Sequence, residues 1–232
     1  MSTILAIETS SETASCALLH GERLLARASN GVRTHSQSIL PMVQELLAEA
    51  GIALAECDAI AFGAGPGSFT GVRTACGIAQ GLAYGAGLPV IALVTLDAMA
   101  LACRQQTGAT EVLAVLDARM GEVYWAQYRG ADLVAGPALC APEAVSPLAV
   151  EGLAACGNGI GAYPEAFAAH AWAAGARPDI MPHAQQIAQL AQAALARGEI
   201  MAAADAQPLY LRNKIAYTSA ERQVINAAKA AA

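Results

Sequence analysis

The chain opens on an unbroken apolar run, Ile4-Leu-Ala-Ile, breaks into the polar Glu8-Thr-Ser, and turns apolar again from Ala14. That pattern predicts a strand that turns and returns as Ala14 to His20, with a further strand through Leu24 and Leu25 after Gly21. From His35 to Ala50 the period changes to that of a helix. Ile39, Leu40, Met42, Val43, Leu46, Leu47 and Ala50 span an arc of about 160°, wider than the roughly 100° that one core-facing side needs.

A short apolar run from Ala59 leads into Gly63, Gly65 and Gly67, and then a helix is predicted from Ser68 to Ala86. Gly77, Gly81 and Gly85 recur every four residues and share one face, while Val72, Cys76, Ala79 and Ala83 share the opposite one. Three glycines inside a helix cost about 2–3 kcal/mol relative to alanine, so something must offset them. A glycine stripe lets another helix approach closely, either from a partner or from within the chain. Leu88 to Leu93 reads as a buried strand. Leu96 to Gln106 and His183 to Ala196 read as helices, the second stopped by Arg197-Gly198.

The chain then repeats itself. Leu113-Ala-Val-Leu-Asp-Ala echoes Leu5-Ala-Ile-Glu-Thr-Ser, returns as Glu122 to Tyr128 and passes Gly130 to Leu133-Val134. Leu153-Ala-Ala-Cys-Gly-Asn-Gly-Ile-Gly echoes the segment from Ala59 to Gly67. Each half should therefore hold a strand hairpin, a third strand, a helix and a later strand–glycine turn–helix unit. The expected organisation is α/β, with lobes at 1–108 and 109–217 and an alanine-rich tail at 218–232. Two duplicated lobes facing a cleft resemble the actin/sugar-kinase/Hsp70 architecture, which implies a nucleotide cleft between them.

Composition narrows the function. The 232 residues are 56% hydrophobic and 14% charged, with a net charge of −6. An acidic chain does not by itself neutralise nucleic-acid phosphates. Cys16, Cys57, Cys76, Cys103, Cys140 and Cys156 form no CxxC pair, and they read as buried thiols in a reducing compartment. No charge falls between Thr74 and Leu96, yet the glycines and Gly87-Leu88-Pro89 break that stretch before it can span a bilayer. With no secretory signal at the start, a cytoplasmic protein is expected.

The glycine loop lacks the lysine of a Walker A loop, and Ser68 stands where the third glycine of GxGxxG belongs. A turn of this build either offers N–H groups to an anion or simply joins strand to helix with Ser68 as N-cap. Thr9, Ser10, Gly65, Gly67, Ser68 and Asp117 are the residues it would place near a nucleotide. Glu8 and Asp117 stand at corresponding strand ends, where a carboxylate either manages Mg²⁺ or caps a turn. The four histidines form no local metal motif.

Ile4-Leu-Ala-Ile-Glu-Thr-Ser, Thr34-His-Ser-Gln with Leu40-Pro41, Gly65-Pro-Gly-Ser-Phe-Thr-Gly-Val-Arg-Thr, Asp117-Ala-Arg and Pro208-Leu-Tyr-Leu-Arg resemble the TsaB (YeaZ) family. The likeness is close over the first 130 residues and looser beyond. It implies a subunit for threonylcarbamoyladenosine formation in tRNA, similar to a shortened paralogue of the catalytic subunit TsaD. Where TsaD carries two metal-binding histidines, this chain has Thr95 and Met99, which argues against catalysis of its own and against a metal. The likeness further implies that TsaD, or a second copy of this chain when TsaD is absent, joins the helix pair at 35–50 and 68–86. The residues it assigns to that face are Leu40, Val43, Leu47, Thr74, Gly77, Ile78, Gly81 and Gly85. TsaE is the implied third partner, ATP or ADP belongs only to the assembled complex, and tRNA is met only indirectly. A small-molecule kinase or a metallopeptidase of the same fold is the alternative class, and a self-associating structural protein a third.

Overall fold

Burial on both faces explains why the first strand reads as continuously apolar rather than alternating. In the computed structural model, which describes residues 2–30 and 35–212, β1 (Thr3–Glu8) is the centre of a five-stranded sheet. The strands β2 (Thr13–His20), β3 (Arg23–Asn30), β4 (Ala59–Gly65) and β5 (Val90–Val94) complete it in the order β3-β2-β1-β4-β5. β1, β2 and β3 pair antiparallel, and β4 and β5 add in parallel, with Leu5 opposite Ile60.

Helices α1 (His35–Ala50) and α2 (Phe69–Ala86) cover one face of this sheet. Ile39, Leu46, Ala75 and Ala79 pack there on Leu5, Ile7, Ile60 and Phe62. Helix α3 (Thr95–Thr107) leads into a second sheet of β6 (Glu111–Arg119), β7 (Glu122–Arg129), β8 (Asp132–Cys140) and β9 (Ala154–Cys156), in the order β8-β7-β6-β9. Two short helices follow, α4 (Asn158–Ala162) and α5 (Pro164–Phe167), and then α6 (Ala184–Ala196), capped by His183, whose Nδ1 accepts from the Gln185 N–H at 3.1 Å.

The hairpin, third strand and parallel fourth strand thus recur in both halves, while two details of the expected repeat fail. No counterpart of α1 forms between β8 and β9, because that short segment carries Pro142 and Pro147 and folds only a 3₁₀ turn at Pro142–Ala144. The two echoes also differ in register. Leu5 sits opposite Ile60 and Leu113 opposite Ala155. Aligning the hairpins therefore moves the glycine turns one residue apart, a slip matched by the bulge between Gly63 and Gly65 in β4.

Chain order and packing diverge as well. α6 returns to the first sheet, where Ala184, Ile187, Ala188 and Ala191 meet Ile4, Ala6, Ala59 and Ile91. α3 turns Leu96, Met99 and Cys103 to the second sheet instead. These two helices form the layer between the sheets. Thr34 and the expected tail at 218–232, like residues 213–217 of the second lobe, lie outside the described residues.

Candidate functional site

Two surfaces were expected to matter, the cleft at the hairpin turns and the helix pair. The first is built around the glycine loop, whose glycines admit the chain's own atoms. The loop lies so close to the β1–β2 turn that a Cβ on Gly63 would collide with the Glu8 carboxyl, and one on Gly71 with the Thr9 carbonyl. A Cβ on Gly67 would stand 2.6 Å from the Ser10 carbonyl oxygen, and one on Gly65 2.9 Å from that of Leu209. Hydrogen bonds hold the contact, with Thr9 Oγ1 donating to the Gly71 carbonyl at 2.7 Å and the Ser68 N–H to the Ser10 carbonyl at 2.7 Å. Ser68 Oγ in turn caps α2, accepting from the Gly71 N–H at 3.4 Å. The Ser68 and Gly71 N–H groups and the loop's close-approach positions are thus engaged within the chain, as in a strand-to-helix junction.

Ser10, Gly67, Ser68 and Asp117 line one cleft of about 360 Å³, whereas Thr9 and Gly65 are buried behind it. The Asp117 carboxylate is already engaged. Its Oδ1 accepts from the Arg119 N–H at 2.8 Å and the Tyr163 hydroxyl at 3.2 Å, and its Oδ2 pairs with Arg119 Nη1 at 3.2 Å. These bonds hold Arg119 and Met120 at φ of 59°, a left-handed pair that non-glycine residues adopt only under constraint. Arg212 adds to the clamp, donating to the Arg119 carbonyl at 3.3 Å and pairing with Glu122 at 2.5 Å. Asp117 is therefore a turn-capping carboxylate in this structure.

Glu8 is not its counterpart. In the hairpin alignment Asp117 matches Thr9, and Glu8 lies buried under Gly63 with Oε1 accepting the Ser10 N–H at 2.5 Å. Oε2 has no hydrogen bond among the described residues, and burial pushes this carboxyl above its ordinary value of 4.5. Below that value the group is protonated whether the chain is folded or not. As pH rises past it, the unfolded chain ionises first, so stability falls until the folded carboxyl ionises too. Glu8→Gln removes this dependence, and its urea midpoint should gain steadily on the native chain from about pH 4.5 upward. Parallel midpoint curves across the acid-to-neutral range would refute a protonated Glu8.

Sequence reasoning missed the segment that closes the cleft. Residues 206–212 cross α2, with the Leu209 N–H donating to the Ala64 carbonyl at 2.8 Å and Gln80 donating to that of Ala206 at 2.9 Å. Tyr210 accepts from Arg73 Nε at 2.7 Å, and the Arg73 guanidinium lies 3.4 Å from the centre of the Phe69 ring. No periodicity marks this stretch. Its one signal was the Pro208-Leu-Tyr-Leu-Arg match to the family pattern.

On the helix pair, the stripe of Gly77, Gly81 and Gly85 faces outward. A Cβ added at any of the three meets nothing within 4 Å among the described residues, so none of those residues packs closely on the stripe. Tyr84 beside it is 83% exposed. The wide arc of α1 resolves differently. Ile39, Met42, Val43 and Leu46 are core residues, Leu47 packs partly on the same core, and only Leu40 of the arc is well exposed at 45%. Val43, 3% exposed, is thus corrected from a partner-facing position to a core one, because the sheet takes up most of the arc. Ile78 is likewise half-buried on the first core, and Thr74 Oγ1 bonds back to the Thr70 carbonyl at 2.9 Å.

Thr95 and Met99 lie fully buried in the first turns of α3. Among the described residues no helix is long and apolar enough to cross a membrane.

Comparison with known proteins places this geometry. The family model described as TsaD, tRNA N6-adenosine threonylcarbamoyltransferase, matches residues 25–230. The tRNA threonylcarbamoyladenosine biosynthesis protein TsaB of Escherichia coli (strain K12) is 40% identical over 224 residues, 92% of this chain and 96% of that protein. Its namesake from Haemophilus influenzae is 38% identical over 230 residues, 93% of this chain and 95% of that protein. A solved structure described as YeaZ from Pseudomonas aeruginosa is 42% identical with a TM-score of 0.84, covering 91% of this chain and all of that one. A second, described as an uncharacterized protein with similarity to peptidase YEAZ from the same organism, reaches 43% and 0.86, covering 91% of this chain and 100% of that one. The chain belongs to the TsaB (YeaZ) family and has its α/β, actin/sugar-kinase/Hsp70-like fold.

Proposed function

We propose that this chain is a non-catalytic subunit of tRNA threonylcarbamoyladenosine biosynthesis that binds and activates TsaD, with TsaE as a further partner. The observation that carries the reading is the outward glycine stripe. Its conformational cost of about 2–3 kcal/mol is offset by nothing among the described residues, so the compensation is expected from a partner helix packed against Gly77, Gly81 and Gly85. The family names support the pathway, since the relatives are called threonylcarbamoyladenosine biosynthesis proteins and the matching model a threonylcarbamoyltransferase. The spent glycine loop and the turn-bound Asp117 fit a lobe pair that leaves chemistry to TsaD, and the acidic charge fits a subunit that leaves tRNA to its partners. In the absence of TsaD, a second copy would cover the same stripe as a homodimer.

Size exclusion with light scattering tests this directly, on the chain alone and mixed with TsaD from the same organism. The expected result is a dimer that gives way to a one-to-one mixed complex. A chain that ignores TsaD overturns the proposal.

A further inference from the structure

Arg73 is held by aromatic groups rather than by a carboxylate. Its guanidinium lies 3.4 Å from the centre of the Phe69 ring and 5.4 Å from that of Tyr210, and Nε donates to the Tyr210 hydroxyl at 2.7 Å. The side chain is exposed, and its two Nη groups meet no acceptor among the described residues. Arg23 and Arg27 of β3 instead share Glu49, and Arg119 pairs with Glu12 and Asp117. With one face on Phe69 and Nε tied to Tyr210, the Nη1–Nη2 edge of Arg73 remains for a planar acceptor with two oxygens. Bracing of this kind removes side-chain freedom before a partner arrives, so less is lost on binding.

The place of Arg73 decides where that acceptor comes from. Phe69, Arg73, Gly77, Gly81 and Gly85 fall every four residues and form one row along α2. The guanidinium therefore ends the glycine stripe, about 12 Å from Gly81 along the helix axis. A helix seated on the stripe brings its own side chains to that edge. The first turn of α2 carries no acidic residue, and the amino end of the helix adds positive potential, so a carboxylate is the side chain that suits the place. We propose that Arg73, braced by Phe69 and Tyr210, pairs with an aspartate or glutamate on the TsaD helix that packs against Gly77, Gly81 and Gly85. The inference rests on the partner reading above and adds a fixed end to it, with the acidic residue about two turns from the residue seated over Gly81. A tRNA phosphate offers similar oxygens, but it gains nothing from a row of glycines beside the arginine, whereas a helix does.

Calorimetric titration of the full-length chain with TsaD from the same organism tests it, at low and at high salt. Arg73→Gln should weaken binding about tenfold at low salt, and the loss should shrink at high salt as the native pair is screened. Arg73→Lys keeps the charge without the planar fork and should lose about threefold. Both variants should melt as the native chain does, and both should match it when titrated with tRNA. Gly81→Leu is the control for the stripe. If the native chain binds TsaD, Gly81→Leu abolishes binding and Arg73→Gln binds as tightly as the native chain, this inference fails while the partner reading stands. A native chain that ignores TsaD overturns both. A loss in Arg73→Gln that salt leaves unchanged overturns the ion pair, and a loss confined to tRNA binding assigns the edge to phosphate instead.

Discussion

Gly81→Leu is expected to abolish association with TsaD while leaving the monomer folded and slightly more stable. Gly81 lies in the middle of α2, and a Cβ built there meets nothing within 4 Å among the described residues. The free chain therefore has room for the larger side chain. Replacing a helix-interior glycine with leucine should itself contribute about 0.5–1 kcal/mol to stability. In a complex the same side chain would stand where the stripe lets a second helix approach most closely. Overpacking of that kind costs about 3 kcal/mol or more, a loss of at least roughly 100-fold in affinity. Circular dichroism melting and light scattering with TsaD separate the effects. A variant that unfolds would show that the chain packs this face itself, and one that still binds with native affinity would move the interface elsewhere.

How much of this was legible depended on whether the signal was periodic. The strands of both hairpins and helices α1, α2, α3 and α6 follow from apolar spacing, and their observed bounds differ from the expected ones by two residues or fewer. The glycine stripe was visible for the same reason, because a repeat of four on a helix defines a face. Where the stripe points was not legible, since an exposed face and one packed within the chain share the same spacing. The arc of α1 misled because periodicity shows which residues share a side but not how much of that side a twisted sheet can cover. Val43 is the cost of that ambiguity. The cleft was the least legible part. Its lining draws on residues 10, 72, 116, 124, 181 and 209–212, which only the folded topology brings together. The engagement of Asp117 likewise depends on Tyr163, far along the chain.

Gly71 drew no notice in the sequence, because a glycine in the first turn of a helix looks ordinary, yet Gly71→Ala should be the most damaging small substitution in α2. A Cβ there runs into the Thr9 carbonyl, and its next neighbours are also backbone atoms of Thr9 and Ser10, so no side chain can swing aside. Relief requires moving α2 away from the β1–β2 turn. That movement strains the bond from Thr9 Oγ1 to the Gly71 carbonyl and the bond from the Ser68 N–H to Ser10. The first of these joins fully buried groups, and with the overpacking of backbone against backbone the loss should reach about 3 kcal/mol or more. For a chain of this size that corresponds to roughly 10 °C in Tm. Gly81→Ala, the same chemical change three turns further along the helix, should instead raise stability by about 0.8–1 kcal/mol. The opposite signs test the assignment of the two glycines, because helix propensity alone predicts a gain at both. If Gly71→Ala melts within a degree or two of the native chain, the close approach of α2 to the first hairpin turn is wrong. The reading of this loop as a strand-to-helix junction would then fail with it, since both rest on the same backbone contact.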